Sequence, residues 1–154
     1  MRFFVLRHSE AEPKGGDKVD HERRLVASGE ASAYRQAKKR ISQLDGLEAI
    51  LTSPALRAKE TADIFASVLG KPEIVEECDF LNPISEPMTI LRELRRYQDR
   101  ENIMVVGHEP NLSQIVSLLI SGTNMASIRL KKSGLAVLDV AEFSPGYGRL
   151  RKLY

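Results

Sequence analysis

The chain has one cysteine, Cys78, and no tryptophan among its 154 residues. A single thiol excludes an intramolecular disulfide and suits a reducing compartment. Nor is Cys78 placed as a phosphatase nucleophile, because a phosphate-cradling cysteine loop needs an arginine at position 84, which is Ile84. No apolar run approaches membrane-spanning length, the longest lying around "IVSLLI". The start "MRFFVLR" lacks a long apolar stretch and a small-residue cleavage site, so a secretory signal is not expected and the cytoplasm is the expected location. The net charge is only +2. Its basic groups, Lys38-Lys39-Arg40, Arg95-Arg96 and Lys131-Lys132, are short and scattered and form no phosphate-tracking stripe, so nucleic acid is not an expected partner. The three histidines show neither the i, i+4 nor the H-x-H spacing of common zinc sites, and neither a metal nor another cofactor is expected. Repeats, low-complexity tracts and linkers are also missing, so residues 1–154 are expected to form a single domain.

Short β-branched runs alternate with longer helical ones. "RFFVL", "EAILT", "EIVEE" and "IMVVG" read as strands. Residues 28–44 carry Ala33, Ala37, Ile41 and Leu44 at helical spacing. Ser53-Pro54 reads as a helix start, serine capping and proline in the first turn, with Ala58, Ala62, Phe65 and Leu69 as the apolar stripe and Gly70 as the stop. A further helix is expected from about Met88 to Arg100. Another opens at Pro110 with Leu112, Ile115, Val116, Leu119 and Ile120 on one face. "GLAVLDV" and "GRLRKLY", joined by "SPGYG", read as a terminal hairpin. The alternation predicts a three-layer α/β/α domain, its sheet mostly parallel with a C-terminal antiparallel hairpin.

In such sheets ligands collect beyond the C-terminal ends of the strands. Arg7 and His8 follow the first strand, Ser53 and Arg57 the second, and His108 the "IMVVG" strand. Two histidines and two arginines at one edge suit the handling of a phosphoryl group. Guanidinium forks match phosphate oxygens, and a neutral imidazole is a competent nucleophile at phosphorus. The bland alternatives are a structural histidine for His8, an i, i+3 ion pair with Glu60 for Arg57, a simple cap for Ser53, and no role for His21.

"LRHSEAEP", "TSPALRAKETA" and "VVGHEPNLS" together resemble the histidine phosphatase superfamily, the phosphoglycerate mutase-like or RHG-motif family, and within it the SixA-like phosphohistidine phosphatases. The resemblance implies a nucleophilic His8, Arg7 and Arg57 on the phosphoryl oxygens, and His108 as the second histidine. "DHERRLVASGE" resembles the family's Arg-Pro-Leu-Thr-x-x-Gly segment, which implies Arg23 as an additional phosphate ligand. Arg24 there replaces the usual proline and Val26 the usual threonine. Ser53 is expected close enough to bind substrate. Glu10, Glu12, Asp17 and Asp20 are candidates for the general acid, Asp20 first among them because it precedes Arg23 in the aligned segment. Ser9 stands where the family has glycine, so either the turn accepts an L-residue or the pocket is altered. The implied activity is metal-independent hydrolysis of a phosphorylated protein, phosphohistidine in particular. The alternatives are a phosphomonoesterase for small molecules and a non-catalytic module that binds a phosphoprotein.

Overall fold

A computed structural model describes residues 1–15 and 19–154. Six strands form one sheet: β1 (Arg2–Arg7), β2 (Ala49–Thr52), β3 (Val75–Glu77), β4 (Asn102–Gly107), β5 (Leu135–Val140) and β6 (Gly148–Leu153). Their spatial order is β3-β2-β4-β1-β5-β6. The first four run parallel, and β5 and β6 add antiparallel to β1 and to each other. This is the expected mostly parallel sheet with its C-terminal hairpin.

Side-chain alternation along the strands sorts the apolar residues into two cores. Phe4, Leu6, Ile50, Met104 and Val106 pack with α1 (Ala27–Lys39), α2 (Ile41–Leu44) and α3 (Leu56–Leu69). Phe3, Val5, Leu51, Ile103 and Val105 pack on the other face with α4 (Pro87–Leu94) and α5 (Asn111–Ser121). Central strands apolar on both faces are what a sheet covered on both sides requires.

Several element boundaries differ from the sequence expectation. The 28–44 helix breaks at Arg40 into α1 and α2, and Ile41 is exposed although Ala33, Ala37 and Leu44 are buried. Helix α4 ends at Leu94, and a 3-10 turn Arg95–Tyr97 follows where a continuous helix was expected. Helix α3 starts at Leu56 with Ala55, not Ser53, in the cap position. Gly70 ends it in the left-handed conformation at φ 68°, as expected of a C-terminal glycine. Among the described residues no helix is long and apolar enough to cross a membrane.

Gly29 fixes how α1 approaches the site. A Cβ there would lie 2.0 Å from the Glu10 carbonyl oxygen, so only glycine lets the helix start reach the loop after β1. The Val26 N–H donates to that same carbonyl at 3.1 Å.

Candidate active site

Strand register sets the geometry. Arg7 pairs with Gly107 in the β1–β4 ladder, and Thr52 pairs with Val106 in the β2–β4 ladder. The ladder runs one residue further on both sides: the His8 N–H donates to the Gly107 carbonyl at 3.1 Å and the Ser53 N–H to the Val106 carbonyl at 3.0 Å. Ser53, His108 and His8 therefore lie abreast on three adjacent strand ends. The two imidazole centroids are 5.1 Å apart, close to one strand spacing.

His8 is buried, and its Nδ1 donates to the Ser9 carbonyl at 2.7 Å. A carbonyl can only accept, so Nδ1 carries the proton and Nε2 keeps a free lone pair. Burial pulls the His8 pKa down from 6.5 to about 4; the bond to Ser9 opposes this, and the charges of Arg57, Arg7 and Arg23 add to it. The ring is thus neutral around pH 7, in the field of three arginines.

His108 pairs its Nε2 with the Ser53 hydroxyl at 2.9 Å. That hydroxyl also accepts the Ala55 N–H at 3.3 Å; it donates to a His108 ring protonated on Nδ1 or accepts from one protonated on Nε2. Among the described residues the His108 Nδ1 is buried without a hydrogen-bond partner, as are Arg7 Nε and Arg57 Nε. Buried polar groups left unpaired call for an explanation, and three of them surround His8. Burial, with His8 and Arg57 adding to it, pushes the His108 pKa to about 2.

Arg57 is buried. Its Nη1 donates to the Asp20 carbonyl at 2.6 Å and its Nη2 to Asp20 Oδ2 at 2.9 Å. Arg23 donates from Nη1 to Asp20 Oδ1 at 2.7 Å and from Nε to the Glu12 carbonyl at 2.7 Å. The Arg23 hydrogen bond comes first in holding Asp20 below the usual carboxylate range, and Arg57 contributes through both charge and hydrogen bond. Arg7 Nη1 donates to the Leu130 carbonyl at 2.9 Å. Arg24 lies apart from this cluster, exposed and paired with Glu60 at 2.6 Å. Glu60 also accepts the Leu25 N–H at 2.7 Å, which ties the 24–25 stretch to α3 one turn beyond Arg57. The Arg57–Glu60 pair considered from spacing is therefore replaced by Arg57–Asp20 and Arg24–Glu60.

Of the other acids, Glu10 pairs with Lys132 at 2.9 Å, and the Glu12 carboxylate accepts the Arg24 N–H at 3.0 Å. Asp17 lies outside the described residues. Burial pushes the Cys78 thiol up to about 11, so it stays protonated at neutral pH. Among the described residues no group of three or more His, Cys, Asp or Glu side chains is arranged to hold a metal ion.

Residues that motif reading missed complete the support. The Thr61 hydroxyl accepts the Ser9 N–H at 3.1 Å and donates to the Arg57 carbonyl at 2.7 Å, so one side chain links the loop after His8 to the helix that carries Arg57. The Ser133 N–H donates to the His8 carbonyl at 3.3 Å, and the Ser133 hydroxyl meets that of Ser9. Asn111 donates from Nδ2 to the carbonyls of Pro83 and Ser85 at 3.1 and 2.9 Å, fastening the loop before α4 to the start of α5. The sequence signal for Thr61 is its place one turn after Arg57; Ser133 and Asn111 carry none by themselves.

Residues 3–81 match the model of the histidine phosphatase superfamily (branch 1), a span that contains His8, Arg23, Ser53 and Arg57. An uncharacterized protein of Picosynechococcus sp. is 33% identical over 141 residues, covering 88% of this chain and 82% of that protein. The phosphohistidine phosphatase SixA of Escherichia coli is 25% identical over 144 residues, covering 87% of this chain and 88% of that protein. A structure of the protein histidine phosphatase SixA complexed with tungstate superposes with a TM-score of 0.87 at 23% identity, covering 99% of this chain and 96% of that one. The phosphoglycerate mutase-like fold, the motif-bearing strand ends and the family match agree: the chain belongs to the histidine phosphatase superfamily, with a SixA-like architecture.

Proposed function

We propose that the chain hydrolyses phosphohistidine on a protein partner, without a metal ion, through a phosphoryl group carried transiently on His8. The observation that carries this is the hydrogen bond from His8 Nδ1 to the Ser9 carbonyl, which leaves Nε2 unprotonated among Arg7, Arg23 and Arg57. In the first step the Nε2 lone pair attacks phosphorus. The bond from phosphorus to the leaving nitrogen breaks, and the leaving group keeps that electron pair and gains a proton. The His8 ring becomes cationic, and the Ser9 carbonyl accepting from Nδ1 stabilises it. In the second step water attacks the same phosphorus, the Nε2–phosphorus bond breaks, and inorganic phosphate leaves with His8 neutral again. Throughout, the arginine forks hold the non-bridging oxygens and the His108 Nδ1–H donates to one of them. In this reading the Ser53 hydroxyl donates to Nε2 and so keeps that proton on Nδ1.

Two observations support phosphohistidine over a small phosphoester. The chain between Arg57 and His108 is used up by α3, β3, α4, β4 and their turns, with Leu81, Ile90, Leu91 and Leu94 all buried. It supplies no lid to enclose a small molecule, whereas a side chain on a protein surface needs none. A bond from phosphorus to imidazole nitrogen also breaks readily, which lightens the demand for a strong proton donor. The test compares turnover of a phosphohistidine-bearing protein with that of simple phosphomonoesters. Faster turnover of the phosphoprotein is expected. Preference for the esters would make the protein a small-molecule phosphatase, and binding of phosphoprotein without phosphate release would make it a binding module.

A further inference from the structure

Asp20 occupies both of the arginines nearest to it. Its carboxylate bridges Arg23 and Arg57 at 2.7 and 2.9 Å, and its main-chain carbonyl takes the remaining terminal nitrogen of Arg57 at 2.6 Å. Two carboxylate oxygens across two guanidinium forks reproduce the edge that two phosphoryl oxygens would present. The charge of the carboxylate acts in the direction that raises the His108 pKa, against the larger effects of burial, His8 and Arg57.

The two sides of this contact differ in how firmly they are held. The Arg57 side chain is 4% exposed and Arg23 11%, but Asp20 is 48% exposed. Asp20 sits on the three-residue 3-10 turn Asp20–Glu22, which buries none of its residues and has no side-chain cap. Both arginine side chains are packed into the protein, and Arg23 also holds the Glu12 carbonyl, whereas the Asp20 carboxylate meets solvent. The Asp20 end of the pair faces solvent, and two negative charges are drawn to the same two guanidiniums more strongly than the single charge of the carboxylate.

We propose that Asp20 is a resident anion in the phosphoryl seat, and that an incoming phosphoryl group takes Arg57 and Arg23 by exchange with it. Displaced from both guanidiniums and beside the bound group, the carboxylate is then free to take a proton from solvent and pass it to the leaving group, the imidazole nitrogen of a phosphohistidine or the oxygen of a phosphoester used as probe. The exchange rests on the assignment of these arginines as oxyanion ligands; the proton transfer rests further on His8 as nucleophile.

Tungstate serves as the probe, with binding followed by calorimetry on the full chain. Asp20→Asn keeps the size, removes the charge and leaves one side-chain oxygen in place of two. It therefore accepts from only one of the two arginines, while the main-chain bond to Arg57 Nη1 remains. Its melting temperature is measured alongside to confirm that it folds. Exchange predicts that this variant binds tungstate roughly three- to tenfold more tightly than the unmodified protein, while Arg57→Ala binds more weakly. Equal or weaker binding by Asp20→Asn overturns it, because Asp20 would then be a template for the arginines and not their competitor. Failure of every form to bind tungstate overturns the exchange together with the arginine assignment. For the second role, Asp20→Asn slows an alkyl phosphate more than a nitrophenyl phosphate, whose leaving group needs no proton. An unchanged ratio of the two rates overturns the proton transfer and leaves the exchange standing.

Discussion

The hydroxyl of Ser9 lies 2.6 Å from the hydroxyl of Ser133, both side chains buried, and Ser133 continues to Ser32 at 3.0 Å. Ser9 occupies the position where the resembling family has glycine. Ser133 is the one non-glycine residue with positive φ, at 59°, among the described residues, so the turn at Ser9 has an ordinary backbone conformation. The extra side chain points to the C-terminal loop, and the Ser9 carbonyl remains free to hold His8 Nδ1.

Restoring the family glycine should therefore weaken the fold. Ser9→Gly removes a buried hydrogen bond and adds backbone freedom, and we expect a loss of about 1–2 kcal/mol by denaturant unfolding. Ser133→Gly is expected to cost less than Ser133→Ala, because alanine keeps the strain of positive φ and glycine relieves it. The reverse order would remove the strain from this account.

Gly29→Ala separates helix propensity from packing. In a helix interior alanine is favoured over glycine by about 1 kcal/mol. Here the new methyl meets the Glu10 carbonyl oxygen at 2.0 Å. Overpacking against backbone costs about 1–3 kcal/mol or more, so a net loss of stability is expected, read as a lower denaturation midpoint. A midpoint at or above that of the unmodified protein would show that the helix start moves away freely.

The low pKa of His8 has a stability consequence of definite sign. Unfolded, the ring titrates near its ordinary 6.5; folded, near 4. Between those values the unfolded chain binds more protons, so stability falls as the pH drops from 6.5 toward 4 and the loss levels off below. The His8 share is roughly 3 kcal/mol, an order of magnitude only. His8→Gln should flatten this part of the stability profile. The acid limb of turnover should likewise lie nearer pH 4 than 6.5. An acid limb at the ordinary imidazole value would contradict the buried, neutral His8.

Most of the site was legible because its residues sit at strand ends, where a local motif and the edge rule for α/β sheets point to the same place. Arg7, His8 and His108 fall there, and Arg57 lies in the first turn of the helix that follows β2. Ser53 was placed near the site by its strand end; the cap was its alternative reading, and in the structure the hydroxyl meets His108 while Ala55 holds the cap position. The partners of Arg57 and Arg23 were not legible. Asp20 reaches Arg57 across 37 residues, and only the closing of the loop by the Ala11–Leu25 bridge brings it there. The Ser9–Ser133 contact spans 124 residues and leaves no periodic trace.

Ser53→Ala tests the positioning of His108. It frees Nε2 and lets the ring proton sit on either nitrogen, so kcat is expected to fall about tenfold or more with KM nearly unchanged. A rise in KM at constant kcat would show instead that Ser53 contributes uniform substrate binding.

The central claim is that the phosphoryl group passes through His8. Turnover of substrate carrying labelled phosphate, quenched in alkaline denaturant, measures this directly. The expected result is label on His8, stable in alkali and lost in acid, and neither label nor normal turnover in His8→Ala. Substrate hydrolysed at the normal rate by His8→Ala, or turnover without label on His8, would contradict the account.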